Sequence, residues 1–293
     1  MSAAEAIKMT IARFDVFDFP LTDFEIWQFL PIKLSYNEVR HVLETTPLES
    51  QSGFYFLSGQ SKLLAIRQTR YRDSEDKINK AKRRLKLISW LPFIRLIALA
   101  NVIGAHNLKK NSDIDLFIVT KANRLWTVKL LASFILKIFN LRPTKENSKD
   151  KLCLSFLVDE TALNLESCRQ TNDWYFSYWL AGLVPISGSM KVYEKLIQAN
   201  TWLETELPNW QRSSKPRYRF RKKPRQENSS SLWNQLESTS ERIHRKLMSP
   251  ALVKADQKTT SVIISKHILK LHSFDRRSDI FLEAEKRYAK LQS

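Results

Sequence analysis

Glycine is scarce, with five in 293 residues. Walker and Rossmann phosphate loops need glycines at fixed spacing so that the backbone can approach phosphate, and neither pattern occurs. Two cysteines, Cys153 and Cys168, are too few for a disulfide framework or a metal knuckle. They suit a reducing cytoplasm, the compartment expected for this chain. Long apolar runs are also missing. The most apolar stretch, residues 87–105, contains Pro92, Arg95 and Asn101, whereas a spanning helix needs about twenty residues nearly free of charge. A core helix followed by a buried strand fits it better, and no membrane span is expected. Residues 1–19 lack a basic-then-apolar order, so no signal peptide is expected either.

What is abundant is positive charge. Lysine and arginine number 48 against 30 acids, a net +18, and such a surface attracts nucleotides, nucleic acid or other polyanions. A basic surface that serves only solubility is the plainer alternative. Hydrophobic residues at 43% and aromatic residues at 11% exclude wholesale disorder, and the length allows two or three compact units.

The first sixty residues predict a small helical module. A helix over about residues 3–14 comes first. Thr22-Asp23-Phe24-Glu25 and Ser35-Tyr36-Asn37-Glu38 are both capping boxes, in which a hydroxyl caps the helix and the glutamate reaches back. Phe54-Tyr55-Phe56-Leu57 predicts a wing strand, so residues 1–60 are expected to be winged-helix-like. The second helix mixes Arg40 and His41 with Glu38 and Glu44, a poor face for reading bases.

Residues 61–87 predict a long basic helix. Ile114 and residues 116–119 predict a buried strand, residues 124–139 an amphipathic helix, and residues 152–158 a second strand. The expected class is therefore α/β (α+β), with a small mixed sheet over residues 61–165. Residues 166–211 predict a helical segment in which Trp174, Tyr175, Tyr178 and Trp179 recur at helical spacing, as core rather than as a base-stacking box. Residues 212–231 predict a basic and polar linker, since 212–225 hold eight basic residues and no acid. Residues 232–293 predict C-terminal helices.

Ser112-Asp113-Ile114-Asp115-Leu116-Phe117-Ile118 is the most informative segment. Residues two apart on a strand share a face, so Asp113 and Asp115 project together, about 6–7 Å apart along the chain. Two carboxylates so placed repel unless a cation sits between them. Oxygen ligands suit Mg²⁺, which completes its shell with water and substrate phosphates. Asp-x-Asp alone is common, but here a loop precedes it and an apolar strand and a helix follow.

This arrangement resembles the nucleotidyltransferase superfamily of polymerase-beta type, whose members carry Gly-Ser near a helix start and Asp-x-Asp further on. The segment from Phe14-Asp15-Val16-Phe17-Asp18 to Phe19-Pro20-Leu21-Thr22, the Asp-x-Asp strand, and Asn200-x-Trp202 with Leu207-Pro208-Asn209 also look like a bacterial family of nucleotidyltransferase-domain proteins. That likeness implies a cytoplasmic enzyme that transfers a nucleoside monophosphate from an NTP to a hydroxyl, with Mg²⁺ held by Asp113 and Asp115. The superfamily spacing puts the Gly-Ser pair at Asn101 and Val102, and valine cannot replace a serine hydroxyl. Backbone N–H groups, Asn101, Lys109, Lys110 and Ser112 would then hold the triphosphate. The third carboxylate would be Asp159 or Glu160, although a turn ending the strand explains both equally. His106 is expected to be a loop residue. Two alternatives remain: a degenerate protein that binds nucleotide or nucleic acid without turnover, and a winged-helix regulator.

Overall fold

The structure is a computed structural model. It describes residues 1–293 except 58, 101–105, 145, 213–217, 221–230, 257, 273–274 and 293. Helix α1 (Ala3–Asp15), β1 (Leu21–Thr22), α2 (Asp23–Phe29), α3 (Tyr36–Thr45), β2 (Glu49–Gln51) and β3 (Phe54–Phe56) open the chain. Both expected capping boxes form, at Thr22–Glu25 and Ser35–Glu38, and Ser2–Glu5 adds a third at α1. Each satisfies two backbone N–H groups that a helix start leaves unpaired. The three short strands pair antiparallel in the order β1-β3-β2.

The long basic helix is α4 (Leu63–Ser89). Its inward stripe carries Ile78, Ala81, Leu85 and Ile88, which explains how so charged a helix is held. A six-stranded mixed sheet follows, in the order β7-β4-β5-β6-β9-β8. Strand β4 is Ile94–Leu99, β5 Ile114–Thr120 and β6 Leu152–Asp159. Among the described residues only β5 and β6 pair in parallel. A parallel pair needs a crossover, and α5 (Leu125–Ile138) supplies it. Arg124 offers no cap to α5. Instead Glu237, on α9 (Ser231–Leu247), accepts from Trp126 N and Thr127 N, each at 2.8 Å.

Strand alternation sorts the sheet into two apolar layers. Leu116, Ile118, Leu154 and Leu157 face α4 and α5. Phe117, Val119, Phe156 and Val158 face the N-terminal helices and α6 (Trp174–Ala181). One core therefore runs from Ile7 and Phe14 through Tyr178 to Phe117.

Two regions expected to be helical also contain strands. Residues 166–211 include β7 (Val184–Gly188) before α7 (Met190–Gln198) and α8 (Trp202–Glu206). Residues 232–293 include β8 (Val262–Ile264) and β9 (Ile268–Leu271), between α10 (Pro250–Ala255) and α11 (Arg277–Ala289). The three residues of β8 and four of β9 are too few to display alternation, so only the pairing of β9 onto β6 and of β8 onto β9 reveals them. The expected linker also differs where it is described. Tyr218 is buried, and Phe220 N donates to Ile186 O at 2.9 Å, along β7.

The segments that carried the family likeness join elements together. Arg70 binds Asp18 at 2.8 Å and the Phe17 carbonyl at 2.7 Å, and Arg287 binds Asp15 from α11. Asn209 accepts from Leu34 N at 3.2 Å and donates to Ile32 O at 2.8 Å. Asn200 is fully buried and bonds Leu165 N, Leu163 O and Leu196 O. Among the described residues no helix is long and apolar enough to cross a membrane.

Candidate metal centre

Asp115 is the second residue of β5, and its partner across the parallel ladder is Cys153. The next pair is Phe117 with Phe156, so β6 covers three residues where β5 covers two. That local irregularity re-aims side chains, as bulges do. It brings Ser155 round beside Asp115, with Ser155 Oγ donating to Asp115 Oδ1 at 3.4 Å. Asp113 stands just before the strand. Ligand atoms of Asp113, Asp115 and Cys153 all lie within 4.8 Å of one another.

Two carboxylates and a thiol in so small a space disfavour one another's anionic forms. Burial, and then the Asp113 carboxylate, push Asp115 up to about 6 against hydrogen bonds from Cys153 and Ser155. Burial also raises Asp113, opposed by a backbone hydrogen bond and by Lys77. Burial followed by the Asp115 and Asp113 carboxylates drives the Cys153 thiol up to about 12. A divalent cation would relieve all three, because it replaces lost hydration and separates the like charges. The donor set fits a hard cation through its two carboxylates. The sulfur adds affinity for a softer one such as Zn²⁺.

The approach to the pair is fixed by α4. Lys77 Nζ donates to the Ser112 carbonyl at 2.6 Å and to Asp150 at 2.8 Å, while Lys80 binds Asp150 at 2.9 Å. Leu108 N donates to Ser74 Oγ at 2.9 Å. His106 bonds Glu75 at 2.8 Å and stacks on Tyr71 at 4.3 Å between ring centres, so it anchors the loop. Ser112 Oγ is turned back onto the Lys109 carbonyl at 2.9 Å. Lys109 and Lys110 are exposed on that turn. Asn101 and Val102 lie outside the described residues.

Asp159 does not join the site. In register it pairs with Thr120, five residues along β5 from Asp115, or about 16 Å away at the strand rise. It is fully buried and is engaged by Thr161 N at 2.9 Å, Asn123 N at 3.1 Å and His267 at 2.8 Å. Burial alone would raise its pKa, but these hydrogen bonds more than offset it and hold the carboxyl below its usual range. Glu160 pairs with Arg95 at 3.3 Å. Both acids thus belong to the turn that ends β6.

Asp115 opens instead onto a cleft of about 330 Å³, lined also by Ser155, Tyr175, Trp179, Lys270 and Arg276. Trp179 stacks between Phe156 and Phe176, at 5.2 and 5.0 Å, and two of the four spaced aromatics, Tyr175 and Trp179, line the cleft while Tyr178 is core. Burial and the Asp115 carboxylate push the Tyr175 phenol up to about 12. The far wall is cationic. Lys270 is buried, and burial with the nearby Arg277 brings its ammonium down to about 8. Burial, Lys270 and Arg277 lower His272 to about 4.

Cys153 was passed over in the sequence because it has no cysteine or histidine neighbour at metal-ligand spacing. Only the β5–β6 register delivers it. Lys270 was hidden because it lies on an unrecognised strand. No family model, curated protein or solved structure matches this chain.

Proposed function

We propose that the chain is a Mg²⁺-dependent nucleotidyltransferase that takes an NTP as donor and a hydroxyl as acceptor. The observation that carries this is the Asp113–Asp115–Cys153 cluster, whose Asp115 lines a cleft with an aromatic flank and a cationic far wall. Asp113 and Asp115 would hold the metal, which supplies Lewis-acid polarisation of the phosphate and acidifies the attacking hydroxyl. The acceptor oxygen would form a bond to the α-phosphorus as the bond to pyrophosphate breaks, its proton passing to solvent water. The aromatic flank, already stacked on itself, excludes water from the reacting centre. Lys77 keeps Ser112 and hence Asp113 in place through the Ser112 carbonyl.

The N-terminal arrangement supports a winged-helix-like module: three helices with an antiparallel β1-β3-β2 sheet. Its core is continuous with the sheet bearing the cluster, so it serves as a positioning unit for that sheet. The +18 charge favours a polyanionic substrate.

A second reading, nucleotide binding without turnover, is favoured by one observation. The other carboxylate lining the cleft, Asp275, is engaged by Arg277 at 2.7 Å, so no ready general base faces the pair among the described residues. Pyrophosphate release from each NTP with Mg²⁺, measured beside equilibrium binding, decides between them. Release by the wild type and not by Asp113→Asn supports transfer. Binding without release supports the second reading, and neither binding nor release contradicts both.

A further inference from the structure

Lys270 is a buried cation without a matching anion. It is 4% exposed. Its Nζ donates to the Cys168 carbonyl at 3.0 Å and lies 4.7 Å from the Phe176 ring centre and 5.5 Å from that of Phe156. The carboxylates nearby are already engaged: Arg277 binds Asp173 at 2.6 Å and Asp275 at 2.7 Å. Among the described residues no carboxylate stands within ion-pair distance of Lys270. Burying an ammonium without a counter-charge is costly, and its three donors have one carbonyl to satisfy them.

Its place on the sheet relates it to the metal cluster. Lys270 pairs with Phe156 across β6–β9, and Phe156 pairs with Phe117 across β5–β6. Paired residues share a face, and Phe117 shares its face with Asp115, two residues away. Lys270 is therefore two strands across and two residues along from Asp115 on the same face, about 12 Å on the diagonal, and both line one cleft. That span suits a cation on one carboxylate pair and a chain of phosphates reaching a second anchor. Arg276 lines the same cleft. His272, also on the lining, is neutral at pH 7 and offers hydrogen bonding without adding charge.

We propose that Lys270 is the anion-binding residue of the cleft and holds the terminal phosphates of a nucleoside triphosphate whose inner phosphate faces Asp113 and Asp115. The triphosphate then runs across the sheet from β5 over β6 to β9. This inference rests on the proposed function for the identity of the nucleotide, but the anion site itself can be tested without metal.

The experiment titrates inorganic tripolyphosphate, mixed NTPs and a short oligonucleotide into the full chain, with and without Mn²⁺. The expected result is metal-free tripolyphosphate binding that weakens about ten- to a hundred-fold in Lys270→Met, the loss of one charge-assisted contact. Lys270→Arg, which keeps the charge, should recover part of it. Mn²⁺ affinity without anion should be unchanged in both variants, and thermal melting confirms that both are folded. Wild-type affinity in Lys270→Met, or no tripolyphosphate binding by the wild type with or without Mn²⁺, overturns the proposal. An oligonucleotide that displaces tripolyphosphate better than NTPs do overturns the nucleotide assignment. If Lys270-dependent tripolyphosphate binding persists but Mn²⁺ never binds, the anion site stands and the metal-dependent function falls.

Discussion

Asp115 and Cys153 face each other across the parallel β5–β6 pair of the main sheet, and the register slips by one residue immediately beyond them. That slip places Ser155 within 3.4 Å of the same carboxylate. A thiol, a hydroxyl and two carboxylates thus converge at the start of the β5–β6 ladder. The charge this concentrates gives the site its properties in the absence of a cation.

The first prediction concerns metal-free stability. Asp115 is raised from 3.8 to about 6, so between those pH values the folded state binds more protons than the unfolded state. Stability therefore falls as pH rises through that window, and above it the ionised carboxylate costs up to about 3 kcal/mol. Asp115→Asn removes the cost. In chelator at pH 7.5 its melting temperature should equal or exceed that of the wild type, while at pH 4 the two should converge. A clear drop at pH 7.5 would show that the carboxylate is a structural acceptor.

The sulfur separates metals. Cys153→Ser should leave Mg²⁺ affinity within about two-fold, since hard cations draw on the carboxylates. Wild type loaded with Co²⁺ should show a sulfur-to-cobalt charge-transfer band that the variant lacks. Identical spectra would remove Cys153 from the ligand set. With its thiol held near 12, Cys153 should also resist alkylation at pH 8 in chelator.

Lys270 makes a pH-dependent cost of the opposite kind. Its ammonium is lowered from 10.5 to about 8, so between those values the unfolded state holds more protons and stability rises with pH. At pH 7 the buried charge costs about 3 kcal/mol. Lys270→Met should be more stable than the wild type at pH 7, and the gap should close by pH 10.5. Denaturant unfolding at several pH values reads this difference directly, and a gap independent of pH would contradict it.

Lys77 is a positioning residue. It is 3% exposed and joins the 7% exposed Asp150 to the Ser112 carbonyl. Burial raises Asp150, but the hydrogen bonds and charges of Lys77 and Lys80 outweigh it and hold the carboxyl low. The pair therefore contributes stability above the normal carboxylate range that is lost on acidification. Lys77→Met should cost about 3 kcal/mol by leaving a buried carboxylate with one partner. It should also weaken Mn²⁺ binding, because Ser112 leads directly into Asp113. Lys80→Met, whose lysine is half exposed and does not touch Ser112, should cost less and leave Mn²⁺ affinity intact. Equal effects on Mn²⁺ binding would refute the positioning role.

Much of the local structure was legible in the sequence, because it is written in nearest neighbours. The capping boxes at Thr22 and Ser35, the long α4 and the apolar strand after Asp113 each follow from contacts within one turn or one strand. The shared face of Asp113 and Asp115 follows from a period of two. The rest depends on pairing between distant segments. Cys153 reaches the aspartates only through β5–β6 register, and Lys270 only because β9 adds to the edge of β6. Asp159, adjacent in sequence to a core strand, looked available as a third acid. The strand length carries it to the opposite end, where it closes a turn with Asn123 and Thr161.

The most direct test of the account is Mn²⁺ binding, followed by electron paramagnetic resonance, in wild type, Asp113→Asn, Asp115→Asn and Asp159→Asn. The account predicts saturable binding by the wild type, a loss of at least about ten-fold in each of the first two variants, and wild-type affinity in Asp159→Asn if that variant folds. No binding by the wild type, or affinity lost through Asp159 and kept without Asp115, would contradict it.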